Sequence, residues 1–362
     1  MEKKEAGKNL VRNRIITIVI LFLASLLVDW FESYPIAVEK YYSLGVYPWI
    51  CRVLHPILNL FPFSVGDLVY MVAIGLIIYF FTRLIVLAFK KRFKQAGVLI
   101  LGIIISVQSA VLAFYLLWGI NYFRVEPMRL PEGKYSTNLL ISFTRLVIDS
   151  TNAARASVKP EDLKKDDKAI SLISIKAVEA LSKGFEQFPA YSPQVKSSLF
   201  TPIINYLGTS GYYNPFTTEA QVNYAMPEFL KPFVDCHEMS HQMGYGPEDE
   251  ANFVGFLAGI KSNNRLLRYS AWHEILGECL IELMMRDETL EGKIKLLVSP
   301  AVHEDFIAER NFWSSYESKV DMISNIFYDN YLKANNQPQG LETYNRTIYW
   351  VMAWYSDQIP KC

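Results

Sequence analysis

The sequence predicts a mainly α-helical protein with a small β element, organised as an anchor of three transmembrane helices followed by one larger domain. Three observations predict it. Apolar residues make up 51% of the 362-residue chain and gather in three long runs in its first third. Beyond that third, apolar residues recur at helical spacing in segment after segment. One short stretch alternates with period two instead. The length suits an anchor plus one domain with its own core, since domains commonly run to about 100–200 residues. Lys and Arg (36) balance Asp and Glu (36), so the charge gives no footprint for nucleic acid. Cys51, Cys236, Cys279 and Cys362 show no CxxC spacing, which argues against a disulfide framework or a thiolate zinc knuckle.

The anchor is assigned to residues 1–123, with transmembrane helices at about 15–31, 68–89 and 98–122. The second and third runs exceed the ~20 residues a helix needs to cross the hydrocarbon core. Arg83 lies near the end of the second, beside Lys90, Lys91 and Arg92, where its head group can snorkel to the interface. The first run follows a basic leader, as in a signal peptide, but Val28-Asp29-Trp30-Phe31-Glu32 offers no small-residue cleavage site. Basic residues mark the cytoplasmic flanks. Lys3, Lys4, Lys8, Arg12 and Arg14 precede the first span, and Lys90, Lys91, Arg92 and Lys94 join the second to the third. The link between the first two spans has only Lys40 and Arg52. Three spans that start inside leave everything after Tyr122 outside the cytoplasm. Trp30, Trp49, Trp118 and Tyr122 stand where interfacial aromatics are expected.

Residues 124–135 are polar and proline-punctuated and read as a linker. In the domain assigned to 136–362, Ser136 or Thr137 caps a helix carrying Leu139, Leu140, Phe143, Leu146 and Val147. A second stripe uses Ile170, Leu172, Ile175, Val178 and Leu181, and further helical patterns cover 248–260, 264–286, 300–333 and 341–357. The period-two stretch is 217–224, where Glu219, Gln221 and Asn223 alternate with Thr218, Ala220, Val222 and Tyr224. Two uses fit it: a strand that pairs along its edge with an extended peptide, through Glu219, Gln221 and Asn223, or a core strand with one wet face.

The chemistry centres on Cys236-His237-Glu238-Met239-Ser240-His241-Gln242-Met243-Gly244. Residues four apart share one face of a helix, so His237 and His241 can direct imidazoles at one Zn2+. Glu238, next to the first ligand, is placed to act as general base on a water whose pKa the metal lowers to about 7. Cys236 points about 100° away from His237 and reads as a buried structural thiol. A catalytic zinc takes a third protein ligand. Gly244, Gly246 and Pro247 turn the chain into a helix that opens with Glu248, Asp249 and Glu250. Glu248 is the favoured ligand and Glu250 the alternative, because the two project about 200° apart and only one can face the metal. Asn252, one turn beyond Glu248, is placed to orient a ligand. Tyr269 and His273, four apart, are candidates to steady a developing oxyanion, against core packing for the first and a surface position for the second. His303 lacks a partner at helical spacing and receives no role.

Five stretches carry a resemblance: PFSVGD at 62–67, GYYNPFTTEAQVN at 211–223, HEMSHQMG at 237–244, EDEANF at 248–253 and RYSA at 268–271. Through them the chain resembles, over nearly its whole length, the bacterial membrane-protein family called domain of unknown function 3810. The resemblance implies three membrane spans and a zincin-like α+β metallopeptidase domain, in the bacterial cell membrane. The Glu248-to-Asn252 spacing is also similar to the ExxxD element of gluzincin peptidases, with Asn252 departing from the acidic residue. The expectation is an extracytoplasmic, membrane-anchored zinc metallohydrolase. Its partners would be the lipid bilayer and a peptide or protein substrate, cell-wall peptide included. A zinc-binding membrane sensor, or a structural protein without turnover, is the rival. Glu238 speaks for an enzyme, since structural zinc needs no base beside its ligand.

Overall fold

A computed structural model describes residues 2–128, 135–317, 319–337 and 346–356. The described part is mainly helical, with one small sheet. Its contacts divide it into two compact units. The first runs to Ile50 and takes up Val65–Val125 and Pro215–Thr218; the second takes up Cys51–Ser64, Glu126–Asn214 and the chain from Glu219 onward. The two units are therefore interleaved along the chain. Of the expected linker, 129–134 lie outside the described residues.

Helices α1 (Glu2–Glu32), α2 (Pro35–Ala37), α3 (Tyr47–Leu58), α4 (Val65–Phe89) and α5 (Phe93–Leu117) open the chain, with a π-helical stretch at Val38–Val46. Within the first unit α5 packs against both α1 and α4. Three helices, Gly7–Glu32, Val65–Phe89 and Phe93–Leu117, are long and apolar enough to cross a membrane, and only 6%, 6% and 0% of their most apolar stretches is buried in protein. Apolar surface left uncovered over such lengths needs a non-aqueous neighbour. The third helix ends five residues before the expected 122. Gly119 disfavours continuation, and Gly119–Phe123 folds into a 3-10 turn. Trp118 and Tyr122 are buried in the protein at that turn, whereas Trp30 and Trp49 are exposed. The turn is held to the π-helical stretch by Ser43 donating to Asn121 Oδ1 at 2.9 Å, and the end of α5 by the Tyr42 hydroxyl donating to the Leu116 carbonyl at 3.0 Å. Arg124 adds a charged fork to Glu39, 2.7 Å at its shorter arm.

In the second unit follow α6 (Thr137–Ser157), α7 (Asp167–Gly184), β1 (Val195–Ser197), α8 (Thr201–Ile204), β2 (Gly211–Asn214), β3 (Glu219–Val222), α9 (Lys231–Gln242), α10 (Glu248–Lys261), α11 (Arg265–Arg286), α12 (Glu288–Lys295), α13 (Pro300–Ser314), α14 (Lys319–Ala334) and α15 (Arg346–Trp354). Of the two proposed caps Ser136 is the one that acts, accepting from Leu139 N at 3.2 Å. The expected helix at 300–333 is broken after Ser314, where the Ser315 hydroxyl donates to the Phe312 carbonyl at 2.6 Å and competes with the helical ladder. Of the pattern at 341–357, residues 341–345 and 357 lie outside the described ones. Helix α9 is the hub: α7, α10, α11 and all three strands pack on it. Its apolar residues Phe233, Met239 and Met243 join Phe253, Phe256 and Ile275 in one buried core.

The sheet order is β1-β3-β2, with β3 parallel to β1 and antiparallel to β2. The expected period-two strand is thus the central one. Both its edges are already paired, Val195 to Ala220 on one side and Tyr213 to Ala220 on the other, which corrects the idea that a peptide pairs along it.

Candidate functional site

Pro232 sits in the first turn of α9, where its fixed φ suits the helix and its missing N–H costs nothing. The start is anchored by Phe233 N donating to Ser270 Oγ of α11 at 3.0 Å, and by Lys231 on Asp167 of α7 at 2.8 Å. The spacing of four then brings the His237 and His241 rings to 4.8 Å, perpendicular to one another. Donor atoms of His237, Glu238 and His241 all lie within 4.8 Å of each other. Cys236 is buried with Cys51 and Cys279, as a structural thiol should be, and Cys362 lies outside the described residues.

Gly244, at φ +89°, ends α9 in a left-handed turn that a side chain would resist. The turn carries the Tyr245 carbonyl back to His241 Nδ1, at 2.7 Å. A carbonyl only accepts, so Nδ1 holds the proton and Nε2 presents its lone pair. Three residues later α10 begins. Glu248 Oε2 lies 3.2 Å from His237 Nε2 and 3.5 Å from His241 Nε2. Two ligands at zinc distances around a tetrahedral ion stand roughly 3.4 Å apart, close to both of these carboxylate–imidazole separations. The donor set fits zinc, with Glu238 left beside it.

The charge balance fits a cation as well. Burial pulls the His237 imidazole down, but its bond to Glu248 and the charges of Glu238 and Glu248 more than offset that and carry its pKa to about 9. Burial pushes Glu248 up, yet the two imidazoles hold it well below the ordinary carboxylate range. Glu238 rises to about 7 through burial, against the lowering effect of His237 and His241. Its Oε2 is buried without a hydrogen-bond partner among the described residues. Gly211 of β2 lies against it: a Cβ there would stand 2.6 Å from Glu238 Oε1.

Other expected residues are placed differently. Glu250 is buried, but the carboxylate paired with both histidines is that of Glu248. Asn252 keeps its expected place: it lines one cavity with His237 and its side chain bonds that ring, while its Nδ2 donates to Glu278 Oε1 at 3.2 Å and Thr347 Oγ1 at 3.4 Å. Tyr269 is a core residue whose hydroxyl donates to Asp305, not an oxyanion donor. His273 is not on the surface: it is buried and stacked on Phe306, with centroids 4.2 Å apart. Glu219 pairs with buried Lys196 at 2.6 Å, Gln221 bonds Ser64 at 2.9 Å and Asn223 donates to Asn205 at 2.6 Å. These three hold the sheet, so the expected substrate contact through them gives way to a structural role.

Residues that sequence reasoning missed support the trio. The Tyr328 hydroxyl of α14 donates to Glu248 Oε1 at 2.7 Å, and Glu248 N donates to Gln337 Oε1 at 3.2 Å. Both lie about eighty residues or more from their partner, beyond any local pattern. Glu274 and Glu278 did leave a signal: two carboxylates four apart interrupt the apolar face of α11.

The model of a family described as a protein of unknown function (DUF3810) matches residues 42–352. The chain belongs to the DUF3810 family. The DUF3810 match takes in α4, α5, the sheet and the whole His237–Glu238–His241–Glu248 constellation. No curated protein and no solved structure matches the chain.

Proposed function

We propose that this DUF3810 protein is a membrane-tethered, zincin-like zinc metallohydrolase that cleaves peptide bonds outside the cytoplasm. The observation that carries the reading is the approach of Glu248 Oε2 to both His237 Nε2 and His241 Nε2, with a buried carboxylate next to them. Bound there, zinc supplies a Lewis acid for a carbonyl and acidifies a water. Glu238 takes the proton of the attacking water and returns it to the leaving nitrogen. Tyr328 holds Glu248 in the orientation the trio needs. The missing side chain at Gly211 makes room for the Glu238 carboxylate itself. The substrate class is a peptide or protein, including cell-wall peptide, whose amide presents the same carbonyl. The three apolar helices tether the site to the bilayer, and the basic flanks orient it.

Metal analysis and peptide-cleavage profiling of the purified full-length protein test this. Glu238→Gln should keep its zinc and lose roughly 10²–10⁴-fold in turnover, whereas His237→Ala should lose both. A wild-type protein that takes up zinc and cuts no peptide would return the reading to a sensor or structural protein. For orientation, Asn138→Cys in a background without the native cysteines should react with an impermeant thiol reagent on intact cells. Reaction only after lysis would reverse the topology.

A further inference from the structure

Beside His237 opens a cavity of about 250 Å³, walled by Met226, Leu230, Phe233 and Trp313 and by two carboxylates, Glu274 of α11 and Glu309 of α13. His237 is the one basic side chain that lines it among the described residues. Burial, and then the charge of Glu274, push Glu309 up to about 8, while burial raises Glu274 against the opposing pull of His237. Two carboxylates in one apolar-walled space repel unless a proton or a cation comes between them.

A second observation lies beside Glu309. His273 Nε2 lies 3.8 Å from Glu309 Oε2, is buried, and has no hydrogen-bond partner among the described residues. The ring stands against Phe306 and Phe229, and burial, with the charge of Arg155, lowers its pKa to about 3. The imidazole is therefore neutral and does not balance Glu309. The cavity is several times the about 30 Å³ that one water occupies in the liquid, so it has room for a carbon chain as well as a charged head.

We infer that this cavity is a subsite for a primary ammonium group on the substrate residue next to the scissile bond, held by Glu274 and Glu309 while the apolar walls cover its carbon chain. The inference rests on the peptidase reading of the adjoining trio. Two sources share the chemistry, a lysine-like side chain and a free α-amino group.

Calorimetric titration of zinc-loaded full-length protein at pH 7 distinguishes them. Nα-acetyl-lysine amide offers only the side-chain ammonium, leucine amide only the α-ammonium, and Nα-acetyl-norleucine amide neither. One of the two amines should bind at least ~30-fold more tightly than the neutral amide, as burying a charge against charged partners implies, and which one does so names the source. The double variant Glu274→Gln/Glu309→Gln, or Glu309→Gln alone should the double variant not fold, should lose that preference at unchanged zinc content. Equal binding of all three amides to the wild type overturns the inference, as does a preference that survives in folded variants. The readout needs no turnover, so a protein that cuts no peptide would sink the peptidase reading while the titration still decides the subsite.

Discussion

The apolar helices of the first unit and the helix pair α9–α10 of the second reverse each other's distribution of side chains. On α4, Val72, Ile77 and Phe81 are more than 60% exposed. On α9 and α10, Lys231, Asp235, Glu238, His241, Glu248, Asp249 and Glu250 are all buried. In water each arrangement alone would be costly, the first by its uncovered hydrocarbon and the second by its desolvated charge. The first makes sense against lipid. The second makes sense if its charges are paired with each other and with a cation, as Lys231 is with Asp167 and Glu248 with two imidazoles.

The contrast can be broken most strongly in the core around that pair. Phe256 of α10 is fully buried and meets Trp272 edge-on at 5.0 Å. Phe256→Ala should cost about 3–5 kcal/mol by the cavity it opens, read as a lowered denaturation midpoint in detergent. Ile77→Ala, on an exposed face, should leave that midpoint where it is. Ile77→Lys should act on insertion instead, at about 2.5–3.5 kcal/mol near a span centre, seen as protein lost from the membrane fraction. A wild-type fraction for that variant would argue that α4 does not face lipid.

Finer effects come from polar contacts. Tyr328→Phe deletes the donor to Glu248 and should weaken zinc affinity roughly 10–100-fold, measured by competition with a chelator at unchanged fold. His273 is smaller still and depends on pH. Its folded pKa lies near 3, below its ordinary 6.5, so the unfolded chain binds the proton more readily. Its contribution is complete above pH 6.5 and is lost as pH falls toward 3, amounting to roughly 2 kcal/mol by pH 5. His273→Phe should flatten that part of the stability profile; an unchanged slope would show that another group sets it.

Much of this was legible in the residues themselves. The runs around Ile77 and Val107 announced their helices, and His237, Glu238 and His241 announced the site, because each signal is local and periodic. Glu248 could be preferred over Glu250 because the Gly244–Pro247 turn is short enough to limit where the chain goes. The strand misled for a physical reason. Alternation shows that a strand has two kinds of face, not that either is wet, and the polar face of β3 is satisfied by Lys196, Ser64 and Asn205 from far along the chain. Tyr328 and Glu309 were invisible because only tertiary packing brings them to the site.

The turn at Gly244 has one more consequence. It fixes the His241 ring through the Tyr245 carbonyl, while Tyr245 is itself tied by its hydroxyl to the Gln187 carbonyl at 2.6 Å and Gln242 holds Gln194 N at 3.0 Å. These bonds are all between protein groups, and the last two join residues far from one another in the chain. On the proposed reading of the site as a zinc centre, loading should therefore ask for little loss of conformational freedom, unlike a zinc finger, which folds only around its ion. Chelation should leave the circular dichroism of the protein intact, and reloading should be limited by ion access rather than by refolding.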